Sequence, residues 1–336
     1  MFQTPTAASE DTFNLQHAQP SSIMSSIASV RAPNIASVDT HTMGASLTDY
    51  LLMKIHPDIH NEIWSRIIVK GLHERDPSVA HVPSPIEKTD KPFNWQRPTT
   101  SILDSNTLQL NVFPGDDYVQ HYAAIIATYL SLQGRDPNVV QYTLPSMPYF
   151  SPLIHSNLAK MSVVDIVILD YVHGLDRWAS EGEWEDDDIN QLFSWKKMLS
   201  KRGYRIAFLG CRICYWGDIG GNVVRELQRL NHAKCIFYLG KLGTLRPEHI
   251  PNQTLATGGQ SLISSRSLTV TWSNPLTPYL HHAPSSRVGI HYSMPSVLDE
   301  TKEWLASAEK EYDLVDPEIG QMAKAAEEGG TGICIL

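Results

Sequence analysis

Cysteine is scarce in this chain. Only Cys211, Cys214, Cys235 and Cys334 occur in 336 residues, and three of them fall in or beside runs that read as core strands. Such usage excludes a small disulfide-held scaffold and fits a reduced, intracellular protein, so cytoplasm is the expected location. Cys211 and Cys214 form a C-x-x-C, but no second such pair and no spaced histidine pair completes a zinc set; neither a metal nor a cofactor is expected. Cys334 stands third from the end, where a prenylation signal needs it fourth. Positive charge is also in deficit. With 27 Lys and Arg against 36 Asp and Glu, the formal net charge is -9, which argues against a protein built to coat nucleic acid. No apolar run reaches the roughly 18 residues of a membrane span, and Met1-Phe2-Gln3-Thr4-Pro5 lacks the basic and apolar segments of a secretory signal. Partners among nucleic acids and membranes are therefore not expected.

What is present divides the chain in three. Residues 1–44, rich in Ser, Ala, Thr and Pro without a sustained period, read as a disordered tail that cannot offset its ordering entropy. Residues 45–101 read as a helical extension and linker. Leu51, Leu52, Ile55, Ile59, Ile63, Ile67 and Ile68 form a helical stripe up to Lys70 interrupted by Pro57, and His73 to Thr100 is polar with several prolines. From residue 102 to 336, short apolar runs alternate with amphipathic stretches. Strands are expected at Leu108–Phe113, Val139–Thr143, Val163–Leu169, Arg205–Leu209, Cys235–Leu239 and Ile333–Leu336. Helices are expected at Tyr118–Gln133, Gln191–Ser200 and Gly220–Leu230. The alternation predicts an α/β domain, a mainly parallel central sheet covered by helices on both faces, with ligands at the carboxyl ends of its strands.

Two loops at such ends carry candidate chemistry. Gly210-Cys211-Arg212-Ile213-Cys214-Tyr215-Trp216-Gly217-Asp218 lacks the spacings of a dinucleotide or P-loop fingerprint. Its glycines nevertheless allow close backbone approach, the helix N-terminus behind it favours an anion, and Arg212 can clamp one. The alternative is a glycine-rich turn with no ligand. In Gly240-Lys241-Leu242-Gly243-Thr244, a lysine, backbone N–H groups and a hydroxyl can cradle a phosphate or carboxylate. Downstream, Asp316-Pro317-Glu318 opens a helix: Asp316 caps it, Pro317 suits its first position, and Ala323, Ala325 and Ala326 favour close packing. Glu318 either accepts hydrogen bonds from a vicinal diol or merely complements the helix dipole.

Taken in order, these blocks resemble the nucleoside phosphorylase superfamily, the purine nucleoside and uridine phosphorylases and the nucleosidases. Arg205 to Leu245, with Glu226-Leu227 on its helix, is similar to that family's glycine loop, E-L helix and G-T-x-G-G strand end. The run from His291 to Thr301, followed by Val315-Asp316-Pro317-Glu318 and Ala323 to Ala326, is similar to its V-D-M-E-x-x-x-x-A-x-x-A helix. The resemblance implies a three-layer α/β/α fold and cleavage or transfer at the N-glycosidic bond of a nucleoside or nucleotide-like substrate. Glu318 would hold the ribose, and Gly210, Arg212, Gly240, Lys241, Gly243 and Thr244 an anion such as phosphate; Tyr215 or Trp216 would stack on the base. A homo-oligomer is implied as well. Two departures stand out. Lys241 and Leu242 replace small hydroxyl residues, and no residue after Leu336 matches the family's Ser-Asp proton donor. The expectation is an absent, substituted or unread acid, with Asp218, Asp170, His173 and Asp176 as candidate substitutes. A protein of this fold that binds such a ligand or a partner without turnover is the alternative.

Overall fold

The computed structural model describes residues 30–31, 34–83, 96–145, 151–175, 183–188, 190–251 and 253–335. The first sheet contains β1 Val30–Arg31, β2 Arg66–Gly71, β3 Thr99–Asp104, β4 Thr107–Val112 and β5 Val140–Thr143. Their spatial order is β1-β5-β2-β4-β3. β2 lies at the centre, parallel to both β4 and β5. Its β-branched run Ile67-Ile68-Val69 buries alternate residues, the pattern of a strand. The expected helical stripe therefore ends early, in α1 Ser46–Lys54 and α2 Pro57–Asn61. Pro57 opens α2 rather than interrupting a helix, because the first helical position needs no N–H. The stretch expected as linker holds β3, so this sheet continues across the boundary placed at residue 102.

The expected tail also ends sooner than predicted. Residues 1–29, 32 and 33 lie outside the described residues, but β1 pairs with β5, and residues 34–44 are fastened along the chain near residue 300. Asn34 donates to Asp299 at 2.8 Å, the fully buried His41 donates from Nε2 to the Val297 carbonyl at 2.9 Å, and Thr42 N–H donates to the Glu300 carbonyl at 2.9 Å. α3 Asp116–Leu132 packs on this sheet and on α1. Its near-continuous burial from Asp117 to Leu130 reflects neighbours on several sides.

The second sheet contains β6 Ile166–Asp170, β7 Phe193–Leu199, β8 Arg205–Cys211 and β9 Cys235–Leu239, after the short helix α4 Ser151–Ile154. α5 Asp218–Asn231 joins β8 to β9, with Asp218 in its first turn and a left-handed His232 closing it. β7 occupies the place of the helix expected over 191–200. Gly203, at φ 82, turns a hairpin that pairs β7 antiparallel with β8 from Phe193↔Cys211 to Leu199↔Arg205. Two runs around a Gly turn are a hairpin signal that outweighs the helical spacing.

The remaining elements are β10 Gly243–Thr244, β11 Leu255–Thr257, β12 Gln260–Ile263, β13 Leu268–Thr271, β14 Ser286–Val288, β15 His291–Ser293, α6 Lys302–Ala308, β16 Leu314–Asp316, α7 Ile319–Glu328 and β17 Gly332–Ile335. β17 completes the second sheet, ordered β17-β9-β6-β8-β7; the third sheet runs β10-β16-β15-β12-β13, and β11 pairs with β14. The fold is thus α/β, with mixed, mainly parallel sheets and helices packed on them, the class predicted by the alternation. α7 packs on α5, on β12 and β15 of the third sheet and on β17 of the second. Its small residues permit this approach: a Cβ at Gly221 of α5 would come within 2.7 Å of the Gln321 carbonyl oxygen. Apolar side chains from all three sheets, among them Val69, Leu209, Ile263 and Ile335, share one core cluster.

Candidate functional site

β6, β8, β9 and β17 run parallel, so their carboxyl ends open on one side. The loops after β8 and β9 leave strands that β6 separates. The chain passes from one side of β6 to the other through α5, which makes the end of β6 a topological switch point. Asp170 sits there with φ 84, a left-handed conformation that a non-glycine residue adopts at a cost and that concentrates at functional positions. His173 belongs to the short 3-10 turn Val172–Leu175 that follows; its side chain, and Asp176, lie outside the described residues.

The loop after β8 is largely committed to the protein itself. Gly210 is buried within β8 opposite Ser194. Arg212 is buried and donates to Asp187, while its backbone N–H binds the Leu192 carbonyl at 2.8 Å. Tyr215 is buried edge-on to Tyr238, with ring centroids 6.2 Å apart. Burial, with the Cys211 thiol beside it, pushes its phenol well above the ordinary value. Trp216 stacks on His121 at 4.1 Å and donates to the Pro295 carbonyl at 2.6 Å.

Asp218 sits at a junction between two helix starts. Its carboxylate accepts the N–H groups of Asp116 at 3.0 Å and Asp117 at 3.2 Å, and the Asp117 carboxylate accepts the Asp218 N–H at 3.1 Å. Each acid thus caps the other's helix. Gly217, at φ 56, is required between them, since a Cβ there would lie 2.5 Å from Asp117 Cβ. Burial first, then Asp117, push the Asp218 carboxyl up to about 7.

Past β9, the chain forms the wall between two cavities. The larger, about 660 Å³, is lined by Tyr171, Gly240, Lys241, Thr244, His249 and Leu255 among others. The smaller, about 140 Å³, is lined by Trp216, Lys241, Gly243, Glu300, Asp316 and Pro317 among others. Lys241 reaches both, its ammonium 5.2 Å from the centre of the Tyr171 ring. Thr244 is exposed and holds a turn: it accepts the Arg246 N–H at 3.0 Å and lies 2.8 Å from His249 Nδ1.

Glu318 lies between β16 and α7, immediately before the helix, where its Oε1 accepts the Tyr238 hydroxyl at 2.6 Å. Asp316 accepts the Ile319 N–H at 3.0 Å, but from the end of β16: α7 starts at Ile319 with Glu318 at its N-cap, so Pro317 precedes the helix instead of opening it as expected. The Asp316 carboxyl is driven well above the usual range by burial and by Glu318. Glu300 is a residue that sequence reasoning does not single out. Burial, then the neighbouring Asp299, push its carboxyl up to about 7, and it faces the cavity that Lys241 and Trp216 also line. No spacing marks it in the sequence; three distant segments create its surroundings. The expected set is thus partly assembled: Trp216, Lys241 and Gly243 meet at the smaller cavity, Gly240, Lys241 and Thr244 at the larger, and Glu318 adjoins through Pro317. Gly210, Arg212 and Asp218 stand apart.

No protein-family model matches the chain. Its sequence is 25% identical over 257 residues to the protein named oxidoreductase cns1 of Cordyceps militaris, a match covering 70% of this chain and 32% of that protein. The match thus spans about a third of the relative's length. Among solved structures, the native futalosine hydrolase of Helicobacter pylori strain 26695 is similar over 52% of this chain and 85% of its own, at 12% identity and a TM-score of 0.41. The purine nucleoside phosphorylase of Toxoplasma gondii in complex with immucillin-H is similar over 57% and 82%, at 13% identity and a TM-score of 0.43. The uridine phosphorylase of Vibrio fischeri is similar over 56% and 80%, at 16% identity and a TM-score of 0.43. Among the described residues, no helix is long and apolar enough to cross a membrane.

Proposed function

We propose that this protein cleaves or transfers at the N-glycosidic bond of a nucleoside or nucleotide-like substrate. The observation that carries the reading is Glu318, a carboxylate held by the Tyr238 hydroxyl at the open end of the parallel strands and next in sequence to the cavity-lining Pro317. In this reading Glu318 accepts hydrogen bonds from the ribose hydroxyls, and Lys241 attracts an anionic group of the substrate or a phosphate acceptor. The bond from the anomeric carbon to the base nitrogen breaks with its electron pair leaving on the base. Glu300, protonated up to about pH 7, delivers the proton that neutralises it, and water or phosphate captures the oxocarbenium-like sugar. Asp170 is the second candidate acid, on account of its strained position at the switch point.

The test is release of free base from a nucleoside panel, with and without phosphate. Activity lost in Glu318→Ala supports the reading, and no release from any substrate overturns it. A second reading, ligand binding without turnover, is favoured by one observation: Arg212 and Trp216, expected to hold the substrate, donate instead to Asp187 and to the Pro295 carbonyl. Calorimetry that finds nucleoside binding by a protein releasing no base would select it.

A further inference from the structure

Where the start of α2 meets β3, a second group of side chains has the composition of a metal centre and no part in the chemistry above. His56, Asp58 and His81 each offer one ligand atom, and the three atoms lie within 4.8 Å of one another. We infer that His56, Asp58 and His81 form a binding site for a divalent first-row transition ion such as Zn(II), the fourth position open to water. Two imidazoles and one carboxylate are the donor set of a catalytic-type zinc site, and histidine favours such ions over Mg(II) or Ca(II).

The positions are fixed by structure rather than by chance proximity. His56 precedes α2 and Asp58 lies in its first turn, while His81 is locked to Thr100 of β3 by reciprocal backbone hydrogen bonds of 2.7 and 3.1 Å. His56 is buried, and its Nδ1 stands 3.6 Å from Asp58 Oδ2. His81 is exposed, with Nδ1 2.8 Å from Asp58 Oδ1, which leaves an entry path for the ion. The Thr100 hydroxyl donates to the other Asp58 oxygen, the outer hydrogen bond that orients a ligating carboxylate. An ion here would take over the Nδ1 of His56 from the Asp58 N–H, a contact of 3.2 Å, near the long limit.

The same three groups also satisfy a plain hydrogen-bond network, in which His81 donates to Asp58, and the experiment separates the two. The full-length protein, stripped with chelator, is titrated with Zn(II) by calorimetry and with Co(II) by visible absorption. One Zn(II) per chain, a four-coordinate Co(II) band, and affinity lowered by roughly 10- to 100-fold in His81→Ala and Asp58→Asn are expected. His81 is exposed, so its variant keeps the fold, and circular dichroism checks this. Absence of binding, a six-coordinate Co(II) spectrum, or equal affinity in His81→Ala would overturn the inference. Base release does not enter the readout, so failure here leaves the glycosidic-bond reading intact.

Discussion

Asp218 and Glu300 are carboxyls raised to the same value, about 7, in two regions that use the shift differently. At the α3–α5 junction, both Asp218 oxygens accept backbone N–H groups and a second carboxylate stands opposite; the group is consumed by architecture. At the smaller cavity, the Glu300 carboxyl has no hydrogen bond to a described residue and burial alone does most of the work. A perturbed acid is thus a candidate for chemistry only where its oxygens remain uncommitted, and a shift by itself does not tell the two apart.

The widest break between the two regions is expected in catalysis. Glu300→Gln should lower base release by about 10²- to 10⁴-fold, whereas Asp218→Asn should leave it near the parent rate. With Glu300 as the acid, activity should fall as pH rises through about 7, and the profile of any residual activity in Glu300→Gln should lose that limb. Equal losses in both variants would erase the distinction. Next in size, Gly217→Ala should cost about 1–3 kcal/mol, read by denaturant unfolding, because it strains φ 56 and crowds Asp117.

The dependence of stability on pH sharpens the contrast further. Folding raises the Asp218 pKa from 3.8 to about 7 and that of Glu300 from 4.5 to about 7. The folded state therefore binds more protons than the unfolded one between those values. The contribution is complete below the unfolded pKa and is lost as pH rises through about 7. Either Asp218→Asn or Glu300→Gln should flatten the decline in stability between about pH 4 and 7; only the second should also change activity. Smallest of all, Thr244→Ala should shift stability by about 0.5 kcal/mol, since its hydroxyl only holds an exposed turn.

Legibility in the sequence follows the same divide between local and assembled features. β9 is bounded as predicted, β8 starts where predicted and ends two residues later, and β4, β5, β17, α3 and α5 lie within a few residues of their predicted limits, because alternation and caps are local signals. β2 and β7 are strands where the sequence suggests helix. Their short apolar runs suit either period, and what decides them is pairing: β2 between two strands distant in sequence, β7 on β8 through the Gly203 hairpin. The site divides likewise. Glu318, Asp316 and Lys241 stand in recognisable motifs. Glu300 owes its environment to side chains as far apart as Trp216 and Pro317, and the His56–Asp58–His81 group needs β3 to bring its third member in.

The stretch from Asn34 to Gly44, with composition that suggests dispensability, has a practical bearing on how the protein is handled. Beside a bond from the Ala36 N–H to Thr128, its hydrogen bonds reach Val297, Asp299, Glu300 and Lys302, the segment that frames one wall of the smaller cavity. A shortened version starting at Ala45 would remove those braces together, and whatever activity it lost would be charged to the cavity when the damage lay in its buttress. A version starting at Val30 would keep β1 and all of these braces.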